Sequence, residues 1–394
     1  MKHFVRSIVF ILIAVVAIVV LLSIIGPRLA SYSYNVNEVV APIKAISTST
    51  KPAVVEPAPI VHIATHIPTP TAVKALYMTS WVAGTPSLRS KVVSILDTTE
   101  ANSVVIDIKD YTGKVSFEVN DPDLAKLRIS DKRIADIDTF IDELHSKNIY
   151  VIGRLAAFQD PYMVKLHPEW AVKRASDGGV WKDYKGISWI DAGSKGMWEY
   201  LVMLAKESHS RGFDEINFDY IRFPSDGNMK DISYISSTTP KATVMRNFYE
   251  YIHNSLATEN VKTSADLFGM TTVAIDDMGI GQMLVDALVN FDYVSPMVYP
   301  SHFPLTWYGI PKPATEPYKV IKISMGSAVE RAKLASTSPL KLRPWLQDFN
   351  LGATYTPDMV AAQIQATYDV GLTSWMMWDP NNRFTSTKAA IKAE

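Results

Sequence analysis

Short hydrophobic runs rich in β-branched and aromatic residues recur at intervals of about 30 to 45 residues after position 73. Each run has the length of a buried strand, and amphipathic stretches with the helical period separate most of them. The predicted strands are residues 75–81, 103–109, 150–156, 215–221, 262–268, 293–299, 341–347 and 373–378. The predicted helices are residues 87–98, 134–147, 195–211, 241–258, 281–289, 318–334 and 358–370. Such regular alternation indicates a parallel sheet with crossover helices.

The number of these units favours a closed barrel over an open, doubly wound sheet. Eight strand–helix repeats fit a barrel, and no glycine-rich phosphate loop follows the first strand. Gly178-Gly179 and Gly279-Ile280-Gly281 fit turns and helix starts better than phosphate cradles. We therefore predict an α/β fold of the (β/α)8, or TIM-barrel, type over residues 73–394.

The N-terminus shows a different pattern. Residues 7–25 form an uncharged apolar run, roughly long enough to cross a bilayer core, and Lys2, His3 and Arg6 precede it. Positive charges on that side place the N-terminus in the cytoplasm and the rest of the chain outside. A cleaved signal peptide has a shorter apolar core of about 7 to 15 residues, so we predict a retained signal anchor. The alternative is cleavage near Ala30, which would secrete the protein.

A spacer is predicted between this anchor, residues 1–30, and the barrel. Residues 31–72 are rich in Ala, Pro, Ser, Thr and Val. Proline at this density removes backbone donors and favours extended backbone, so neither a helix nor a central strand is expected. The segment is typical of a semi-extended linker that holds a domain away from the membrane.

Composition excludes several other functions. The chain has 394 residues, 47% hydrophobic and 20% charged, which is ordinary for a protein with a large core. Its net charge of −1 argues against nucleic-acid binding. The absence of cysteine removes thiolate chemistry, the eight histidines show no metal-ligand spacing, and no Gly-x-Ser-x-Gly motif is present. No metal or cofactor is implied.

Polar residues occur late in several predicted strands, where a barrel places its active site. Strands covered by helices are expected to be apolar on both faces, so these exceptions need a reason. They are Asp107 and Lys109 in the second strand, Arg154 in the third, Asn217 and Asp219 in the fourth, Ser264 and Asp266 in the fifth, and Gln347 in the seventh. We predict a ring of charges and amides at the barrel mouth.

This ring could cleave a glycosidic bond, which requires one protonated and one ionised carboxyl group. Adjacent carboxyl groups raise the pKa of at least one of them, as a general acid requires. Asp219 and Asp266, on neighbouring strands, are the predicted pair, and Asp107 or Asp348 is the alternative second acid. A structural network, in which Asp107, Lys109 and Arg154 neutralise one another, is the competing interpretation.

Aromatic residues near the strand ends suit binding to the apolar faces of sugar rings. They are Tyr77, Trp81, Tyr220, Tyr299, Trp375 and Trp378. Any one of them could be an ordinary core residue, but their repetition favours a binding surface. The long segment 159–194, together with Trp198 just after it, adds Trp170, Trp181 and Trp189, and a loop of that size over a barrel mouth is usually functional.

The run 213–224, Phe-Asp-Glu-Ile-Asn-Phe-Asp-Tyr-Ile-Arg-Phe-Pro, resembles a bacterial family of glycoside-hydrolase domains with TIM-barrel folds. The likeness covers residues 73–384 and includes the segments 105–110, 294–300 and 374–379. The resemblance implies an extracellular, carbohydrate-active barrel. Its Asp-Tyr-Ile-Arg-Phe-Pro element is the most specific part.

The fourth strand is also similar to that of chitinase-type barrels, whose pattern ends Asp-x-Asp-x-Glu. Asp219 matches the last Asp, but Asn217 replaces the acid before it and Ile221 takes the place of the catalytic Glu. Either Asp219 has become the acid, or the barrel binds sugars without cleaving them. Arg222 is expected to order Asp219 or a neighbouring acid as a forked donor, or else to be a surface residue.

We therefore expect a glycoside hydrolase acting on a cell-envelope or extracellular polysaccharide, with Asp219 as acid/base and Asp266 or Asp107 as its partner. The predicted substrate-binding residues are Trp81, Lys109, Arg154, Asn217, Tyr220, Arg222, Tyr299, Gln347, Trp375 and Trp378. The alternatives are a non-catalytic carbohydrate-binding barrel tethered to the membrane and a membrane-tethered structural or partner-binding protein.

Overall fold

Eight parallel strands close into a barrel in the computed structural model, which describes residues 62–391. Strands that follow each other along the chain are hydrogen-bonded neighbours, and the eighth strand pairs with the first. The strands are β1 Lys74–Met78, β2 Ser103–Lys109, β3 Tyr150–Ala156, β4 Glu215–Asp219, β5 Lys262–Phe268, β6 Tyr293–Met297, β7 Trp345–Gln347 and β8 Trp375–Trp378. The predicted (β/α)8 barrel is confirmed for this part of the chain.

Helices connect the strands, as a parallel sheet requires. They are α1 Ser80–Ala83, α2 Pro86–Leu96, α3 Pro122–Lys126, α4 Ile137–Ser146, α5 Pro161–Leu166, α6 Lys195–Ser210, α7 Lys241–Ala257, α8 Leu284–Asn290, α9 Pro317–Leu334, α10 Pro357–Asp369 and α11 Thr385–Ala390. The seven predicted helices correspond to α2, α4 and α6 to α10. The helices that the sequence pattern missed, α1, α3, α5 and α11, are one or two turns long, too short to show a period.

Some strands are shorter than predicted, and local chemistry explains the difference. β1 ends before residue 79 because Thr79 caps α1, its hydroxyl accepting a hydrogen bond from the Val82 N–H. β4 ends before residue 220 because Tyr220 has a left-handed backbone, with φ of 53°. β7 begins after Pro344, which has no N–H for a strand ladder. Several aromatic residues predicted at strand ends therefore lie in the loops that follow.

The amino end of the barrel is closed by a buried polar cluster. Glu215, the first residue of β4, accepts hydrogen bonds from Arg343 Nη1 at 2.8 Å and from the Tyr150 hydroxyl at 3.1 Å. The Arg343 guanidinium lies 3.2 Å from the centre of the Tyr293 ring. These contacts fill the interior at this end, so any ligand must enter from the other end.

The described part of the predicted linker also lies at the amino end. The Ile67 N–H donates to Asp214 Oδ1 at 2.8 Å, just before β4 begins. The Thr69 hydroxyl lies 3.0 Å from that of Tyr150, and His62 Nε2 lies 2.9 Å from Asp142 Oδ2. The chain therefore reaches the barrel on the side opposite the carboxyl ends of the strands.

The predicted anchor, residues 1–30, and the linker up to residue 61 lie outside the described residues. Within residues 62–391, none of the helices combines the length and the apolar character that crossing a membrane would need.

Candidate active site

Four neighbouring strands bring charged side chains to one end of the barrel. The strand register pairs Asp107 of β2 with Arg154 of β3, and Arg154 with Asn217 of β4. Asp219 ends β4, and Asp266 lies two residues before the end of β5. Because side chains two residues apart share a face of a strand, Asn217 and Asp219 point to the same side. Their hydrogen bonds to groups on β3 and β5 show that this side is the barrel interior.

Arg154 is the centre of this arrangement. Its Nε and Nη2 both donate to Oδ2 of Asp219, at 3.1 and 2.5 Å. Its Nη1 donates to Oδ1 of Asp107 at 2.7 Å, and its Nε lies 3.9 Å from Oδ2 of Asp266. All four residues are buried. One guanidinium therefore holds the three predicted catalytic carboxyl groups in a single cluster.

Asp266 lies deepest in the cluster, with 1% of its surface exposed. Its Oδ1 accepts hydrogen bonds from Asn217 Nδ2 at 2.9 Å and from Trp345 Nε1 at 2.8 Å. Burial, followed by the charge of Asp219, raises the pKa of Asp266 well above its ordinary value. The positive charge of Arg154 lowers that pKa but does not cancel the rise. Asp266 is therefore the member of the cluster best suited to hold a proton.

Asp219 is also buried beside Arg154, but its hydrogen bonds are distributed differently. Its Oδ2 accepts from Arg154 and its Oδ1 accepts from the N–H of Tyr220 at 2.5 Å, so both oxygens serve as acceptors. That pattern suits an ionised carboxylate, which has no proton to donate. Asp107 is also fully engaged, because Tyr77 donates its hydroxyl to Oδ2 at 2.6 Å. Burial raises the pKa of Asp107.

Asp219 and Asp266 face a cavity of about 400 Å³ at the carboxyl ends of the strands. Asp107 does not line it and lies behind Arg154. The other lining residues come from β3, β5, β6 and β8 and the loops after β4, β5 and β6; they are Arg154, Tyr220, Arg222, Phe268, Gly269, Met270, Met297, Tyr299, His302, Phe303 and Trp378. The cavity therefore combines two carboxyl groups with a largely apolar, aromatic wall.

Two aromatic residues on the wall are held rigidly. The Trp378 ring stacks on Tyr77 with centroids 3.8 Å apart and an angle of 17° between the planes. Tyr299 contacts Trp378 and Phe349 with centroids 6.5 and 5.5 Å apart. Burial, followed by the charge of Asp266, raises the pKa of Tyr299 well above its ordinary value, so its hydroxyl stays protonated. Fixed aromatic faces beside carboxyl groups are what a sugar site requires.

Five predicted binding residues lie away from the cavity. Trp81 is 64% exposed on α1, with the Arg133 guanidinium 4.7 Å from its ring centre. Trp375 is fully buried and donates its Nε1–H to the Tyr368 hydroxyl on α10, outside the barrel. Asn217 lies beneath Asp266 and supports it.

The remaining two are Lys109 and Gln347. Lys109 is fully buried and pairs with Asp160 at 2.7 Å, because the register shifts between Asp107 and Lys109 at the end of β2. Gln347 accepts from the Ser301 N–H and donates to the Phe349 carbonyl, so it ties neighbouring loops together. Asp348, the other alternative acid, accepts from the N–H and hydroxyl of Thr387 and does not line the cavity.

The long segment between β3 and α6 reaches the site indirectly. Its Trp189 is buried and lies 5.9 Å, centre to centre, from the Tyr220 ring and 4.8 Å from the guanidinium of Arg222. Trp181 donates to the Asn228 carbonyl, and Trp170 stacks on His167. None of the four tryptophans between residues 159 and 198 lines the cavity. The segment supports the loop after β4.

The sequence analysis did not identify several wall residues. Phe268, Gly269 and Met270 follow Asp266 where β5 ends, and His302 and Phe303 lie beyond β6. A Cβ atom at Gly269 would lie 2.4 Å from the Met297 carbonyl oxygen, so glycine is required where these two strand ends approach. These residues follow directly after the polar ends of the strands, and that position was the signal that could have identified them. Because most of them are apolar, the sequence does not distinguish them from core residues.

The fold and the site together define the class. A closed (β/α)8 barrel with buried carboxyl groups and aromatic walls at the carboxyl ends of its strands has the architecture of barrel glycoside hydrolases. In agreement, residues 75–384 match the family described as "Putative glycosyl hydrolase domain". The chain belongs to this family, which confirms the resemblance seen in the sequence.

Solved structures support the fold. The PgaB (BpsB) glycoside hydrolase domain from Bordetella bronchiseptica is 13% identical, with a TM-score of 0.58 over 82% of this chain and 99% of that one. The C-terminal domain of a protein from Desulfitobacterium hafniense DCB-2 described as "putative chitinase" is 10% identical, with a TM-score of 0.51 over 81% and 96%. At these identities the likeness concerns the barrel alone. No curated protein matches the sequence.

Within the described residues, no group of three or more His, Asp or Glu side chains is placed to hold a metal ion. The expected ordering of Asp219 by Arg222 is also not found. Arg222 forms no ion pair with a carboxylate of residues 62–391, and Arg154 orders Asp219 instead.

Proposed function

We propose that this protein hydrolyses glycosidic bonds of a cell-envelope or extracellular polysaccharide, with Asp266 as the proton donor and Asp219 as the ionised carboxylate. The observation that carries the proposal is the contrast between these two residues in one cavity. Asp266 has a raised pKa, whereas both oxygens of Asp219 accept hydrogen bonds. Glycoside hydrolysis uses such a pair, one acid to protonate the leaving oxygen and one carboxylate on the sugar carbon or on water.

This assignment refines the expectation from the sequence, in which Asp219 was acid and base and Asp107 an equal candidate for its partner. Asp107 has both oxygens occupied, by Arg154 and Tyr77, and does not line the cavity. Its role in the proposal is to position Arg154, which in turn fixes Asp219.

The aromatic wall supports a sugar as the ligand. Trp378 and Tyr299 offer ring surface beside the carboxyl pair, and the stacking of Trp378 on Tyr77 and the edge contact of Tyr299 with Phe349 restrict their motion. A rigid wall reduces the entropy lost on binding. A cavity of about 400 Å³ fits a small part of a polymer and leaves the rest of the chain to lie outside.

The test uses the full-length protein, purified in a mild detergent and incubated with a panel of envelope polysaccharides. New reducing ends measure cleavage. Asp219→Asn and Asp266→Asn should each reduce kcat by about 100-fold to 10,000-fold, the range for loss of a group that transfers a proton. Asp348→Asn is the matched control, since its carboxyl group caps a helix outside the cavity. Unaltered turnover in Asp219→Asn would refute the site assignment, and sugar binding without turnover in the unmodified protein would favour the non-catalytic alternative.

For location, we propose that residues 1–30 anchor the protein in the membrane, with the barrel on the extracytoplasmic side. The support is the apolar run 7–25 with three basic residues before it. Cell fractionation tests the proposal: the full-length chain should remain with the membrane, and a chain lacking the first 30 residues should not. Release of a shortened, soluble product from the full-length chain would show cleavage instead.

A further inference from the structure

Arg222 is a second buried arginine in the cavity wall, and its environment differs from that of Arg154. It lies three residues after Asp219, and 8% of its surface is exposed. Arg154 has carboxylate partners on two sides. Among residues 62–391, no carboxylate oxygen lies within 4.0 Å of the Arg222 guanidinium nitrogens. Arg222 thus has no direct ion pair among these residues, and the carboxylates of Asp219, Asp226 and Asp183 act on its charge only from a greater distance.

Most of its donors also lack acceptors. Nη1 donates to the Phe223 carbonyl at 3.0 Å and to the Ser225 hydroxyl at 3.2 Å. A guanidinium has five N–H donors, so the three on Nε and Nη2 are left without an acceptor in the described residues. Burying a charge without a partner is costly, and burial lowers the pKa of Arg222 from its ordinary value. A structural role alone would not require these donors to face a cavity.

The guanidinium is fixed in this position. Its Cζ lies 4.8 Å from the centre of the Trp189 ring and 4.5 Å from that of Phe268. The backbone beside it is held too, because the Phe223 N–H donates to the Ile280 carbonyl at 2.9 Å. Aromatic contacts stabilise a cation but leave its edge donors free. Arg222 therefore lines the cavity with donors that no described residue accepts, while aromatic rings pack against its guanidinium.

We propose that Arg222 binds an oxyanion substituent, a carboxylate or a sulfate ester, on the saccharide that occupies this cavity. The inference rests on the proposed function for its location, because Asp219 and Arg222 line the same cavity. The forked guanidinium pairs with planar or tetrahedral oxyanions through two parallel hydrogen bonds. A neutral saccharide would leave the guanidinium without a directly bonded anion, so the substrate class that the proposal implies is an acidic glycan.

The experiment measures binding, so that it can fail or succeed independently of hydrolysis. Full-length protein carrying Asp219→Asn is applied in detergent to a printed array of oligosaccharides. The array holds hexuronic-acid oligomers, the same oligomers as neutral methyl esters, sulfated oligosaccharides and their unsulfated parents. We expect retention of acidic members and weaker retention of their neutral counterparts. Retention of the uronic-acid oligomers alone would identify the bound substituent as a carboxylate. Retention of the sulfated oligosaccharides alone would identify it as a sulfate ester.

The substitution Arg222→Gln should weaken binding to the acidic members about tenfold or more, the typical value of a charged hydrogen bond, and leave the neutral members unchanged. Arg222→Lys, which keeps the charge but not the fork, should restore part of the loss. Arg89→Gln is the matched control, because Arg89 also contacts an aromatic ring, Phe140, but pairs with Asp136 far from the cavity. Thermal unfolding of each variant confirms that it is folded.

Equal binding of a uronic-acid oligomer and its methyl ester would overturn the proposal, as would an Arg222→Gln variant that binds acidic members like its parent. Cleavage of acidic polysaccharides at the same rate by the unmodified chain and by a chain carrying only Arg222→Gln would overturn this inference and leave the proposed hydrolysis standing. Retention of acidic glycans by a chain that cleaves nothing would support the anion site and refute the hydrolase.

Discussion

Arg154 donates two hydrogen bonds to one oxygen of Asp219, from Nε at 3.1 Å and from Nη2 at 2.5 Å. Both residues are buried, so water cannot readily solvate either charge if its partner is removed. The pair therefore contributes to the stability of the fold and also fixes the geometry of the site. Substitutions of Arg154 and of Asp219 test these two roles separately.

Arg154→Met should destabilise the fold by about 3 to 5 kcal/mol, because it leaves Asp219 and Asp107 buried without their partner. Urea unfolding measures the change in free energy. Arg89→Met removes the partner of the exposed Asp136 and should cost about 1 kcal/mol or less. Equal losses for the two variants would contradict the central role of Arg154.

The contribution of Asp266 to the stability of the protein should fall as pH rises above the ordinary pKa of an aspartate, 3.8, because the pKa of Asp266 is raised in the folded state. Between the unfolded and folded pKa values the folded state binds more protons, so each step up in pH favours unfolding, and the effect levels off above the folded pKa. Chemical denaturation at a series of pH values measures this slope.

The free energy of unfolding of the Asp266→Asn variant should depend less on pH over the same range, since the substitution removes the titrating group. In Asp219→Asn the pKa of Asp266 should fall, because a neighbouring negative charge is lost. Carbon-13 NMR of the Asp266 carboxyl group reports that pKa directly. An Asp266 that titrates alike with and without Asp219 would refute the electrostatic link between them.

Trp378→Ala should weaken saccharide binding by roughly tenfold, which corresponds to about 1.4 kcal/mol of lost ring contact. Trp81→Ala should have no such effect, because Trp81 lies outside the cavity. Isothermal titration calorimetry, with a glycan that the unmodified protein binds, compares the affinities of the two variants. Trp375→Phe provides the converse case, in which the fold is destabilised while the affinity is retained, since that ring packs outside the barrel.

Asp214→Asn should loosen the segment that leads into the barrel without altering activity. Asp214 accepts hydrogen bonds from the N–H groups of Ile67 and Val151 and from His145. Burial raises its pKa, but hydrogen bonds from His145 and His66 outweigh burial and lower it. Its contribution to stability is therefore present above the ordinary pKa and is lost as pH falls through the lowered one.

Hydrogen exchange of residues 62–70 measures this change. Protection from exchange, corrected for the intrinsic effect of pH on the exchange rate, should be lower in Asp214→Asn at neutral pH and in the unmodified protein at acid pH, while turnover at neutral pH stays the same. Slow exchange of this segment in the variant would show that other contacts hold it.

The alternation of strands and helices was sufficient to predict the barrel, and the polar residues late in the strands were sufficient to predict its carboxyl cluster. Alternation within a strand also separates Trp375 from Trp378, which are three residues apart and lie on opposite faces. Applying that rule to β8 would have excluded Trp375 from the predicted site.

Other features depend on contacts between segments far apart in the chain. The register shift at the end of β2 turns Lys109 toward Asp160, and no local pattern marks that shift. The choice between Arg154 and Arg222 as the partner of Asp219 depends on how the loop after β4 turns at Tyr220, whose left-handed backbone is not apparent from its residue type.

The ion pair between Lys109 and Asp160 has a consequence for how ligands arrive. Both side chains are fully buried, and Asp160 also caps α5 through the Met163 N–H. Removing one partner of such a buried pair costs about 3 to 5 kcal/mol, so the pair holds the start of the segment between β3 and α6 firmly to β2. The loops after β4, β5 and β6 therefore shape the entrance of the cavity, and the segment between β3 and α6 supports the first of them from outside.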